Sequence, residues 1–165
     1  CDVRDMRNFK DNAYDFILFS YNGIDAIPSQ KERMQALQEI KRVGKEGGFF
    51  CFSSHNMQSL KKQFSLRFTF NPIRFIRNIY KFILLRLNNK NIKILDEMPF
   101  AFINDGASGF RLESYYISPK VQKTQLEQTG FRNIQIFSLE NGNEITDESE
   151  LDIISDYWLY YLCSL

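Results

Sequence analysis

The chain has 165 residues, 44% of them hydrophobic and 15% aromatic, enough for one sizeable core and against a disordered tail. Its 21 Lys and Arg nearly balance 20 Asp and Glu, so net charge makes no overall case for nucleic acid or an acidic partner. Cys1, Cys51 and Cys163 contain no CxxC pair and are too few for a disulfide framework or a zinc site, so reduced thiols and no metal are expected. The first residues lack the charged start and apolar core of a signal peptide, which makes a cytoplasmic location the default expectation.

The opening stretch "CDVRDMRNFKDNAYDFILFS" begins like the middle of a domain, a polar loop running into an apolar strand without an initiator Met. Residues 14–20 are too short for a buried helix and predict a strand buried on both faces of a parallel sheet. In "PSQKERMQALQEIKRVGKEGG", Ser29 and Glu32 form a capping box, and Met34, Leu37 and Ile40 recur at helical spacing, which predicts a helix over residues 30–43. Gly47 and Gly48 offer a left-handed stop to that helix, and "FFCFSSH" follows as a second apolar strand. Two buried strands joined by such a helix imply a right-handed crossover and a parallel sheet, so the fold class is α/β.

Residues 57–95 then carry nine Lys or Arg and no acidic residue, whereas residues 140–156 carry seven acidic residues and no basic one. Within "NPIRFIRNIYKFILLRLNN", Arg74, Arg77 and Lys81 share one helical face, and Ile73, Ile76, Tyr80, Ile83 and Leu87 share another. This amphipathic helix is too short and too charged to span a bilayer. It fits three roles: a helix packed on the domain with solvated arginines, a lid over an apolar or anionic substrate, or a surface that lies on acidic lipid.

Further on, Ser118 as N-cap, Pro119 at the first helical position and Gly130 as stop define another helix, and "NIQIFSL" follows as a strand. The last segment leaves two readings open. Leu151, Ile154, Trp158 and Tyr161 have helical spacing, while the aromatic density over residues 157–161 favours a strand.

The order of "CDVRDM" and "DNAYDFILFSYNGID", then "ALQEIKRVGKEGGFFCFSSHN", then "SPKVQKTQLEQTGFRNIQIF" resembles the class I S-adenosylmethionine-dependent methyltransferases. The likeness covers residues 1–56 and 113–163, with residues 57–112 as a basic, amphipathic insert inside a single domain over residues 1–165. It implies that residues 14–20, 49–53, 134–139 and 157–163 are the fourth, fifth, sixth and seventh strands of the family's 3-2-1-4-5-7-6 sheet. The expectation is a partial Rossmann-like sheet ordered 4-5-7-6, last strand antiparallel, with helices on both faces and a helical insert. No GxGxG-like segment occurs, so the first three strands and the glycine-rich turn that cradles the cofactor are expected upstream of a truncated chain.

From the same resemblance, Asp2 and Val3 correspond to the pair that meets the adenine, with Met6 packing nearby. Ser20, Tyr21 and Asn22 follow the C-terminal end of a parallel strand, where α/β sheets place their ligands, and are expected to hold the cofactor amine through backbone carbonyls. Beside these stand plainer readings of Asp2 as a loop residue and Asn22 as a turn residue. His55, at the end of the next strand, is the candidate general base, against the reading of a structural His. The resemblance implies methyl transfer from S-adenosylmethionine to a small-molecule acceptor by in-line displacement, with the insert as substrate cover. The alternative is a non-catalytic interaction module or a fragment completed by another chain. An exposed edge on the first strand would favour a homodimer or a second chain there.

Overall fold

The computed structural model describes residues 1–165, the Ser108 side chain aside. In chain order the elements are β1 (Tyr14–Phe19), α1 (Gln30–Val43), β2 (Gly44–Asn56), α2 (Leu60–Gln63), α3 (Pro72–Asn88), α4 (Ile92–Asp96), β3 (Phe100–Ile103), β4 (Ser114–Ile117), α5 (Pro119–Thr129), β5 (Arg132–Ser138) and β6 (Trp158–Ser164). β1 pairs parallel with β2, and β6 lies antiparallel between β2 and β5. The order β1-β2-β6-β5 is the expected 4-5-7-6 arrangement.

Local chemistry sets the helix ends. The Ser29 hydroxyl accepts from the Glu32 N–H and starts α1, Ser118 caps α5 with Pro119 in its first turn, and Gly130 at φ 92° ends α5 in the left-handed region. The end of α1 differs from expectation, because Gly44 is extended at φ −76° and the helix runs straight into β2. Gly47 takes its positive φ of 79° inside β2, where the pairing with β1 shifts register between Tyr14 and Phe16.

The C-terminal segment is a strand. Leu159, Tyr161 and Cys163 are buried in alternation, a period of two that a helix could not satisfy. The main core joins β2 and β6 to α1 and α5. Phe52 stacks on Phe50 at 4.8 Å and on Tyr161 at 5.0 Å, and Leu37, Ile40, Leu126 and Phe131 close over them. Each such fully buried side chain contributes about 1.5–3 kcal/mol.

α1 and α5 lie together on this one face, contributing to the same core. Ser54 faces α1 and bonds Arg33, so the next side chain, His55, points to the opposite face, where it lines a cleft with α3. That opposite face is covered only at its C-terminal end, and Phe16, Leu18, Phe49 and Tyr160 remain exposed farther along it. β1 is correspondingly an exposed edge strand rather than one buried on both faces.

The insert is not purely helical. β3 and β4 form an antiparallel hairpin, and β4 pairs parallel with the last residues of β2, past the end of β1. Leu85 anchors α3 in a second core with Met57, Leu60, Phe64, Leu95 and Ile103. The other outcome concerns which face of α3 points inward. Arg77 and Lys81 stand over the cleft, while the stripe Ile73, Ile76, Tyr80, Ile83 and Leu87 is solvent-exposed. The reading of α3 as a helix packed by its apolar stripe with solvated arginines is therefore reversed.

Candidate active site

The site is built on the C-terminal ends of β1 and β2. After β1 the chain turns through Tyr21 and Asn22, both left-handed at φ 61° and 51°, into one 3-10 turn over Gly23–Ala26. This turn lowers Asp25 into the core against α1. Its carboxylate accepts from Arg33 Nη1 (2.7 Å), from the Ser54 hydroxyl (2.8 Å), and from both the backbone N–H (2.7 Å) and Nδ1 (2.9 Å) of His55.

Arg33 is fully buried and donates further to the Ile24 carbonyl (2.9 Å), Ser54 Oγ (3.1 Å) and Gln122 Oε1 (2.6 Å), with its guanidinium 4.5 Å from the Tyr115 ring centre. The remaining hydrogen bonds of a buried ion pair help to offset its desolvation; here the carboxylate is fully engaged, whereas Arg33 Nε has no partner among the described residues.

The network fixes the imidazole. A carboxylate opposite Nδ1 places the proton on that nitrogen, leaving Nε2 as the acceptor, and the Asn22 amide faces it at 3.2 Å. Cross-strand neighbours hold the ring from both sides: His55 registers with Tyr116 of β4 and Trp158 of β6. The Tyr116 ring stacks on His55 at 4.7 Å, and Trp158 meets it edge-on at 6.4 Å. Burial pushes the Tyr116 phenol well above its ordinary range, and its hydroxyl is within hydrogen-bond reach of Asp105 Oδ2 (3.0 Å) and Gln63 Oε1 (3.3 Å).

His55 opens onto a cleft of about 600 Å³. Tyr116, Trp158 and Asp105 line it beside His55, while Arg77 and Lys81 project from α3. Arg67, also lining the cleft, donates to the Tyr157 hydroxyl. Among the described residues no carboxylate pairs with Arg67, Arg77 or Lys81, and with Asp105 as the one acidic residue lining it the cleft carries more positive than negative charge beside the imidazole.

The residues expected at the cofactor divide into two groups that the fold brings to one end of the sheet. Asp2, Val3 and Met6 line a second hollow of about 620 Å³ with Ile17, Leu18, Phe19 and Ile40. Asp2 receives the Arg4 backbone N–H (2.9 Å) and guanidinium (Nη2, 2.7 Å), which hold its carboxyl at about 2. Ser20 and Tyr21 are exposed, and the carbonyls of Ser20 and Asn22 already accept from Gly23 and Asp25. Asn22 is half-buried, its Oδ1 lacking a hydrogen-bond partner among the described residues.

These features fit part of a nucleoside-type cofactor. The hollow is apolar with one ionised acceptor at its rim, and the orphaned Asn22 oxygen suits a donor such as an ammonium group.

The arrangement of strands and helices is shared with known proteins. Residues 1–52 match the family described as "Methyltransferase domain". A putative S-adenosylmethionine-dependent methyltransferase from Listeria monocytogenes superposes with a TM-score of 0.60 at 13% identity, covering 99% of this chain and 66% of that one. A Mesorhizobium loti methyltransferase of the same dependence gives 0.57 at 12% identity, covering 100% and 67%. One from Methanosarcina mazei gives 0.55 at 15% identity, covering 99% of this chain and 64% of its own length. None of the curated proteins matches the sequence.

The fold is that of these S-adenosylmethionine-dependent methyltransferases, as the sequence resemblance implied. The chain spans 64% of the Methanosarcina protein and 66% of the Listeria one.

Sequence reasoning singled out His55 but not the residues that hold it. Arg33 carried a readable signal, for it lies on the buried stripe with Ala36, Leu37 and Ile40 and is the one charge there. Asp25 and Asp105 offered no such signal, since their roles depend on contacts across the sheet.

Proposed function

We propose that the chain is the substrate-side part of an S-adenosylmethionine-dependent methyltransferase, with its small-molecule acceptor in the cleft beneath α3 and His55 as the general base. The observation that carries this reading is the Asp25–His55 pair, which leaves Nε2 proton-free at the cleft, where its lone pair accepts from the Asn22 amide (3.2 Å) that an acceptor group would displace. The cofactor supplies an electrophilic methyl group.

Val3 and Met6 would line the adenine position, with Asp2 offering its ionised carboxylate, and Asn22 would receive the amine end together with the Ser20 and Tyr21 backbone. Nε2 of His55 takes the proton of an acceptor hydroxyl or ammonium, while Asp25 holds Nδ1–H and keeps the ring in place. Trp158, Tyr116 and α3 restrict water in the cleft, and Arg77 and Lys81 favour an acceptor that carries negative charge. The free edge of β1 and the open sheet face suit further strands and helices, supplied by more of the same polypeptide or by a second chain.

The test is transfer of labelled methyl groups from S-adenosylmethionine into a small-molecule extract, using the gene product extended upstream. His55→Gln should lower transfer on the order of 100-fold with S-adenosylhomocysteine affinity unchanged. Equal transfer by the variant would remove His55 from the chemistry, and no transfer by the parent would favour an interaction module.

A further inference from the structure

We propose that the outward face of α3, together with the Phe68–Phe70 loop before it, docks on an anionic lipid surface. Phe70 is 96% exposed, Ile73 78%, Leu87 75% and Ile76 67%, and Phe68, Tyr80 and Ile83 complete a contiguous apolar stripe. Soluble surfaces rarely leave so many large apolar side chains together uncovered. The spacing of 73, 76, 80, 83 and 87 puts them on one side of the helix, and only Leu85 on α3 is buried.

Basic residues border the stripe. Arg74 is exposed in the first turn of α3, and Lys90 and Lys93 are exposed just past its C-terminal end. The whole of residues 57–95 holds nine cations and no carboxylate, while the acidic residues gather in 140–156. The matching surface is therefore at once apolar and negative, which describes the headgroup boundary of an anionic bilayer. No helix is long and apolar enough to cross a membrane, so α3 would lie in the interface.

Other occupants fit less well. Added strands would pair with the free edge of β1, which is not part of the α3 stripe. A symmetric second copy would set two predominantly cationic segments against each other, in which, among the described residues, only Lys61 and Lys62 are paired with carboxylates. The inference does not depend on the catalytic reading, although docking would place the cleft, whose wall is the other side of α3, at the bilayer surface.

Sedimentation with vesicles provides the test. The chain should bind vesicles of phosphatidylglycerol and phosphatidylcholine, bind phosphatidylcholine alone weakly, and release as salt rises. The variant I73S/I76S/L87S changes only exposed side chains and should keep its circular dichroism while losing about tenfold or more of its binding. Absence of binding to the anionic vesicles, equal binding to both kinds, or undiminished binding by the variant would overturn the proposal. A dimer in solution that the same substitutions dissociate, without vesicle binding, would assign the face to a second copy.

Discussion

Removing either member of the Asp25–Arg33 pair should cost more stability than any exposed substitution in the chain. Both side chains are buried, at 1% and 0% exposure, and the Asp25 carboxylate receives four hydrogen bonds from Arg33, Ser54 and His55. Asp25→Asn keeps the shape but turns an amide N–H toward one of those donors and leaves the guanidinium uncompensated. Arg33→Met keeps the packing over Tyr115 but strands the carboxylate.

Leaving one buried charge without its partner costs about 3–5 kcal/mol. For a chain of this size that lowers Tm by about 6–20 °C. Because each single variant includes the penalty of the stranded partner, the double variant should cost less than the two singles together, by about 1–3 kcal/mol. Urea unfolding of the four proteins measures the cycle. Additive losses, or single losses under about 1 kcal/mol, would refute the claim that the pair is a coupled buried unit.

Three smaller outcomes follow from the same contacts. Burial pushes the Cys163 thiol up to about 12 from an ordinary 9.0, so the stability it contributes is fully present below pH 9.0 and is lost as pH rises through about 12. A thiol reagent at neutral pH should label exposed Cys1 quickly and Cys163 only after unfolding, with Cys163→Ala flattening the alkaline loss of stability. The Arg4 guanidinium holds Asp2 at about 2, so its contribution is present above the ordinary 3.8 and lost as pH falls through about 2; Arg4→Gln should move the Asp2 titration, followed by NMR, toward 3.8. Gly130→Ala places a side chain at φ 92° and should cost about 1 kcal/mol in thermal unfolding, whereas Lys123→Ala on the same helix should cost less.

Much of the sheet was legible because its signals are local. Capping at Ser29 and Ser118, the stop at Gly130 and the apolar runs of β1 and β2 are decided within a few residues, and the structure keeps them. The C-terminal strand needed its partner. Trp158 to Ser164 forms pairs along Phe49 to His55, and that pairing resolved a segment whose local pattern fitted both a helix and a strand.

The insert was read less well for a related reason. "FAFI" and "SYYI" are only four residues each and gain their stability by pairing with each other and by extending the sheet beside β2. Periodicity correctly divided α3 into a basic and an apolar face, but it carries no information on which face meets the protein. Leu85, outside the apolar stripe, decides that orientation through the second core. At the site, His55 could be picked out as the sole His, whereas Asp25, 30 positions earlier, becomes its partner only through the parallel pairing of β1 and β2.

The central claim is most directly tested by calorimetric titration of S-adenosylhomocysteine into this chain and into the gene product extended upstream. The account predicts binding by the longer protein, weakened by Asp2→Ala, and little or none by residues 1–165 alone, because on the proposed reading Asp2, Val3, Met6 and Asn22 would supply only part of a cofactor site. Failure of the longer protein to bind would contradict the methyltransferase reading, and equal binding by the short chain would contradict the placement of the cofactor.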